Sequence, residues 1–453
     1  MRAFTQSMLS FPWAMSLFGI EQLGNLLTPN LRVPQDRWTL PFDAVTQATV
    51  EQFGVQNVIQ GVFQVGDELQ RDVVDRLCDF FTPAALNLNS MVQMPADMLR
   101  WSTETCRYFI PAGDSLLAWQ EFQNKLAVFL LVPGISAQLQ LPEQPPYPPL
   151  QEAVERAYAL DPYSALWAVE GLGHWYGDTF WERHEMPHRL LTDARVNDLT
   201  DESLLMLHAG IGLSFAQHYL KTVNHLSPIV DIRQALQEII RLCQENSRPG
   251  YEGAALESLG LTTRSATFTG DARPDVMVQI VGQQLAEIAP DVLGYFWHGV
   301  GRGIYFLPIN ILPFYGSIWH AYEMVRREAA DECAWRNALA GLAWGVTMVN
   351  IRQPAIVANL LQQHGEELSE NAAFSYGVAS SLMMRYDTTP DASFIMPFYQ
   401  YQPDATDPRL VWLWNRLVRQ PAQEALQTYY PILKQRSRLG ELFRYHSLPE
   451  LIQ

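Results

Sequence analysis

The sequence predicts an all-α protein, an N-terminal helical region followed by helical hairpins repeated in series. Three observations carry that expectation. Apolar residues recur at helical spacing along most of the chain, and the strict alternation of a half-buried strand is scarce. Small-residue segments centred on glycine return at a period of about 40 residues, the length of a helix pair. The clearest break is Leu141–Leu150, LPEQPPYPPL, where five prolines in ten residues exclude a helix and favour extended polyproline geometry.

Taken in order, Met8 to Leu27 carries Leu9, Phe11, Trp13, Leu17, Phe18 and Leu23, with Pro12 at an early helical position and Pro29 as the stop. Phe42 to Phe81 follows with Val45, Phe53, Val58, Ile59, Val62, Phe63, Leu69, Val73 and Leu77 on one face and glutamines on the other. Such amphipathic helices pack on each other or hold an apolar face against lipid. Met91 to Val132 supplies a further helical portion. The expected organisation is a helical region over 1–140, a linker over 141–150, a repeat domain over 151–387, and a loop with a helical cap over 388–453.

The repeats are Glu170–Gly177, His208–Ala216, Tyr251–Leu256, Tyr295–Phe306, Ala338–Gly345 and Ala372–Ala379. Anchored on Gly171, Gly210, Gly253, Gly299, Gly341 and Gly377, the steps are 39, 43, 46, 42 and 36 residues. Helical segments such as Ile232–Asn246, Val276–Ala289 and Pro354–Gln363 fall between the anchors. Glycine inside a helix costs about 1 kcal/mol relative to alanine. The compensation is close approach, of another helix backbone or of a ligand. Helix packing is the expected use, and an inner surface lining a pocket is the alternative.

Apolar residues make up 48% of the chain, enough for a large core. A net charge of −17 excludes non-specific nucleic-acid binding and adsorption to anionic lipid by charge. The four cysteines form no CxxC pair, which predicts free thiols in a reducing, cytoplasmic setting. No secretory signal is evident, and the uncharged run Gly303 to Tyr322 is broken by Pro308, Asn310, Pro313 and His320, against a spanning helix.

Val169–Gly173, Tyr251–Leu256, Gly299–Phe306 and Ala338–Gly345 stand in an order that resembles a bacterial family encoded with enediyne natural-product pathways. The resemblance covers roughly residues 150–385. It implies a helical architecture and a bacterial accessory role in hydrophobic-metabolite chemistry, with no settled activity.

Four repeats place Glu or His directly before the small-residue segment: Glu170, His208, Glu252 and His298. If the segments converge, these groups, with His174 and Arg302, form a polar cluster walled by Tyr251, Trp297, Tyr305 and Phe306. Two uses follow: acid–base chemistry with pKa values shifted by burial, or buried ion pairs tying repeats together around Arg302. The ion-pair network is the favoured expectation. His174, Asp178 and Glu182 at four-residue spacing are the metal candidates, although no cofactor is predicted. Glu185-Met-Pro-His188 spells a di-iron pattern, but Pro187 breaks the helix it needs. Gly299–Gly303 lacks phosphate-loop spacing, and no nucleophile motif is present.

The expected function is binding of a partner protein or an apolar small molecule on the inner Gly/aromatic surface, by a homo-oligomer. An enzyme of secondary metabolism using the same cluster, with or without a metal, is the alternative. A lipid-surface protein acting through its N-terminal helices is a further one.

Overall fold

The computed structural model describes residues 114–452 apart from 143, 267–273, 312–316 and 390–392. The amphipathic segments expected over 8–27 and 42–81, and the start of the one over 91–132, lie outside the described residues. Those that are described form helices, turns and loops, with no strand among them, so the chain is all-α as its periodicity requires.

In chain order the helices are α1 (Asp114–Leu131), α2 (Ile135–Gln138), α3 (Leu150–Tyr158), α4 (Pro162–Glu182), α5 (Asp201–Leu220), α6 (Ile229–Asn246), α7 (Glu252–Ala266), α8 (Val276–Ile288), α9 (Leu293–Tyr305), α10 (Pro308–Ile311), α11 (Ser317–Glu328), α12 (Glu332–Val349), α13 (Pro354–Leu368) and α14 (Ala373–Thr388). Local signals set their starts. Asp161 caps α4 by accepting the Tyr163 and Ser164 amides at 3.0 and 3.2 Å, with Pro162 as the first helical residue. Asp275 and Asp331 cap α8 and α12 in the same way.

Each glycine segment falls on a helix of its own: α4, α5, α7, α9, α12 and α14. These six lie side by side in chain order, and α14 packs back against α5. The Gly-x-Gly spacing explains how a helix can be gripped from both flanks. Residues two apart point about 200° apart around a helix. A Cβ on Gly210 would sit 2.1 Å from the Glu170 carbonyl oxygen of α4, and one on Gly212 would sit 2.2 Å from the Ala255 carbonyl oxygen of α7. In α9, Gly299 faces the Glu257 carbonyl of α7 at 2.0 Å and Gly301 the Ala338 carbonyl of α12 at 1.8 Å. The glycines are taken up by helix contact.

The connecting helices α6, α8 and α11 pack one apolar face on this layer. In α6, Ile232, Ala235, Leu236, Ile239, Ile240 and Cys243 are buried at three- and four-residue spacing. Between α4 and α5 the expected helix is missing. Residues 183–200 form a loop with one short turn, Ala194–Val196, because Pro187 and the left-handed backbones of His184 and Arg189 stop helix continuation. Asn246 stitches this loop to α6 by accepting the Leu190 amide at 2.9 Å.

Residues 111–453 form one compact unit, so the Pro-rich segment lies inside it and not at its edge. Helix α1 packs against α4, α10, α12 and α13. It inserts Lys125, fully buried, whose Nζ donates to the Asn310 carbonyl at 2.6 Å and pairs with Glu121 at 2.6 Å over the Tyr305 ring. Tyr305 donates to Glu121 at 3.1 Å, and Asn350 donates to Tyr305 at 2.9 Å. The prolines supply a connection with few amide donors to satisfy; they do not separate domains.

The C-terminal cap is a helical run over 408–435, widened to π turns at Asn415–Arg419 and Ala425–Tyr429. Pro421 and Pro431 follow these turns closely, and the wider coil accommodates residues with no amide hydrogen to give. The turn Leu439–Phe443 then packs on α7, α9 and α14. Among the described residues, no helix is long and apolar enough to cross a membrane.

Candidate functional site

The close glycine contacts bring four charged or polar side chains together between α4, α7 and α9. Arg302 is the hub. Its Nη2 donates to Glu170 Oε1, and its Nη1 donates to Glu257 Oε2 at 3.2 Å. The other oxygen of Glu257 lies 3.2 Å from His298 Nδ1. Because a carboxylate only accepts, that contact places the proton on Nδ1. His298 and Arg302 are four residues apart and so share one face of α9. All four side chains are buried.

Two indoles complete the setting. The Arg302 guanidinium lies 4.7 Å from the Trp344 ring centroid, a cation–π contact. Trp167 meets Trp344 edge to face at 6.0 Å, and the His298 ring is 6.4 Å away. Both tryptophans are fully buried.

Burial raises both carboxyls, and neighbouring charge decides the outcome at each. It prevails at Glu170, whose carboxyl is held above the usual range despite Arg302. At Glu257 burial is outweighed by the Arg302 charge and the His298 hydrogen bond, which hold the carboxyl below that range. Burial alone would lower the pKa of Arg302, but the two carboxylates keep it raised.

Four buried polar atoms in this cluster make no hydrogen bond within the protein, Glu170 Oε2, His298 Nε2, Arg302 Nε and Trp344 Nε1, while the Trp167 indole is hydrogen-bonded to Tyr163. Buried polar groups are satisfied in the large majority of cases, so such a concentration in one place needs a cause.

No family model, curated protein or solved structure matches this chain. Its chemistry is read from the site alone.

Of the residues picked out from sequence, Glu170, His298 and Arg302 are brought together, and Arg302 is the central partner. The others go elsewhere. Glu252 is half-buried and accepts the Gly250 amide at 2.7 Å, which secures the turn before α7. His174 sits one turn beyond Glu170, 2.9 Å from Gln217 Oε1. His208 is buried between the Leu204 carbonyl, 2.6 Å from Nδ1, and the Arg248 amide, which donates to Nε2 at 2.9 Å. Burial lowers its pKa to about 3, so it is a neutral structural imidazole.

The four apolar residues expected to wall the cluster are dispersed. Tyr251 stacks on His208, Trp297 packs against Gly282 of α8, and Tyr305 belongs to the Lys125 network, with Phe306 against its ring. The metal candidates divide as well. His174 and Asp178 approach to 3.5 Å, Asp178 also accepts from Ser214 at 2.7 Å, and Glu182 accepts from Tyr147 at 3.4 Å. Among the described residues, no three His, Cys, Asp or Glu side chains are grouped to hold a metal ion.

Sequence reasoning missed Glu257, Trp167 and Trp344. A signal for Glu257 was present: it is the one charged residue in Ala254-Ala255-Leu256-Glu257-Ser258-Leu259-Gly260. The anchor chosen on α7 was a step off. Gly260 meets the backbone of α9, with a Cβ position 1.8 Å from the Phe296 carbonyl oxygen, whereas Gly253 meets the Gly440 carbonyl and the Tyr295 ring.

Proposed function

We propose that this chain is a binding protein that holds a small molecule between α4, α9 and α12, in the accessory role its glycine segments suggest for bacterial metabolite chemistry. One observation carries the reading: four unpartnered buried polar atoms belong to Trp344 and to side chains gathered around it. The ion pairs of Arg302 explain why the helices cohere, but they leave those four atoms unused.

Native mass spectrometry of the purified full chain, paired with elemental analysis, tests the reading. A species heavier than the polypeptide that is released on denaturation is the expected result. A bare polypeptide mass, together with a high-resolution crystal structure in which water molecules alone meet the four atoms, would reduce the cluster to a structural network.

Catalysis at the same place has one specific observation in its favour. Glu170, with its raised carboxyl, and His298 both keep an unpartnered atom in the cluster, which suits an acid–base pair. Conversion of the released molecule by fresh protein would favour it; return of the molecule unchanged supports binding alone.

A further inference from the structure

On the outside of the fold, the connection from α5 to α6 departs from the polar surface around it. Every residue from Lys221 to Asp231 is exposed except Val223 and Ser227, which are half-buried. Leu226, Ile229 and Val230 are 82, 46 and 68% exposed. Three of the eight large apolar side chains exposed among the described residues thus fall within five positions, LSPIV. Beyond its first turn, α6 exposes Gln234, Gln237, Arg241 and Gln244, so the apolar exposure is confined to the tip. Single exposed apolar residues are ordinary; a group of them marks a contact surface.

The backbone of this tip is already provided for. Asn224 Oδ1 accepts the Leu226 amide at 2.8 Å, and Ser227 Oγ accepts the Asn224 amide at 3.0 Å. The Asn224 carbonyl accepts the Ser227 amide at 3.0 Å, and Pro228 has no amide hydrogen to satisfy. Donors bonded within the segment are what an apolar medium requires. Behind the tip, Tyr219 in the last turn of α5 stands edge-on to Trp181 of α4 at 6.2 Å, and both rings are half-exposed. Aromatic rings that carry a polar atom settle at the boundary between lipid and water.

Area and charge separate the surfaces that could cover the tip. Three aliphatic side chains fall well short of the roughly 800 Å² per partner that a stable protein interface buries. Adhesion to a bilayer grows with the apolar area immersed and needs no matching shape. The chain has a net charge of −17, yet Ser203 to Val230 contains no Asp or Glu. Lys221 and Asp231 balance at the two edges of the tip, and Arg233 is paired with Glu287. A near-neutral tip on an acidic protein suits zwitterionic lipid, whereas anionic lipid repels the rest of the chain.

We infer that the connection Lys221–Val230 is a membrane-anchoring loop that seats Leu226, Ile229 and Val230 in the surface of a zwitterionic phospholipid bilayer. This use is separate from the buried cluster around Arg302.

The test uses the full chain and unilamellar vesicles of phosphatidylcholine, with binding read by flotation. Binding is expected, and vesicles of phosphatidylglycerol should bind no more tightly. The double variant Leu226→Glu/Val230→Glu changes exposed positions only. It should bind at least ten-fold more weakly, as expected when two such side chains no longer enter an apolar phase. Hydrogen exchange of the wild-type chain gives a readout that needs no variant: vesicles should slow exchange in peptides covering 219–232. No binding to phosphatidylcholine, or equal binding by the double variant with its circular dichroism melt unchanged, would overturn the anchor. So would vesicle protection confined to residues 1–110, or tighter binding to phosphatidylglycerol. Dimerisation without lipid that the double variant abolishes would assign the tip to a second copy of the chain instead.

Discussion

Glu257 and Glu252 lie five residues apart on one helix, yet they have different work. Glu257 neutralises Arg302 and orients His298 in a place without solvent, whereas Glu252 secures a turn at the edge of the fold. Removing one partner of a buried pair leaves an uncompensated charge, at about 3–5 kcal/mol. Glu257→Gln should therefore destabilise by that order, and Glu252→Gln by about 1 kcal/mol or less, as for a lost cap. Urea unfolding of both variants measures the difference. His208 makes a second prediction at this scale. Its pKa falls from 6.5 to about 3 on burial, so the unfolded chain takes up a proton below 6.5 that the folded chain refuses. Its contribution is fully present above pH 6.5 and is lost as pH falls toward 3. The urea midpoint should drop over that window, and His208→Gln should flatten the drop if the variant keeps the fold.

Among the helices, the Gly-x-Gly segments were legible as close-approach sites, because glycine in a helix interior is unfavourable without a compensating contact. What each glycine approaches was not legible. Gly301 opposes a backbone carbonyl of α12 at 1.8 Å, which cannot give way, whereas Gly282 of α8 opposes the Trp297 ring at 3.3 Å, which can. Gly301→Ala should cost about 3 kcal/mol or more through overpacking. Gly282→Ala should change stability by no more than about 1 kcal/mol, since the helix gains from alanine what the ring loses. Paired thermal melts decide this, and equal costs at the two positions would remove the contrast. The same reasoning explains the absent helix between α4 and α5. The even period of about 40 residues predicts a hairpin at every step, but period alone cannot register that Pro187 and two left-handed residues stop one.

For the whole molecule, the proline-rich segment was the misleading signal. Its composition suits a linker, but α1 before it supplies Lys125 and Glu121 to a network that includes Tyr305 and, through Tyr305, Asn350. A chain starting at Pro111 should unfold in one cooperative transition. A chain starting at Leu141 should melt lower or fail to fold, because it strands buried polar groups on α9, α10 and α12. Calorimetry of the two truncations tests this, and matching melts would restore the linker reading.

By itself the sequence determined the all-α class and the six helices that carry glycine, and it marked Glu170, His298 and Arg302, which the fold brings together. Those properties depend on local periodicity and on residue types whose burial is costly without partners. Only the tertiary structure decided that Glu257 joins Arg302 in place of Glu252, and that Trp167 and Trp344 flank them in place of Tyr251 and Trp297. Which side chains meet depends on how far each helix slides along its neighbour. A shift of one turn, about 5.4 Å, exchanges one set of partners for another without changing the spacing read along the chain.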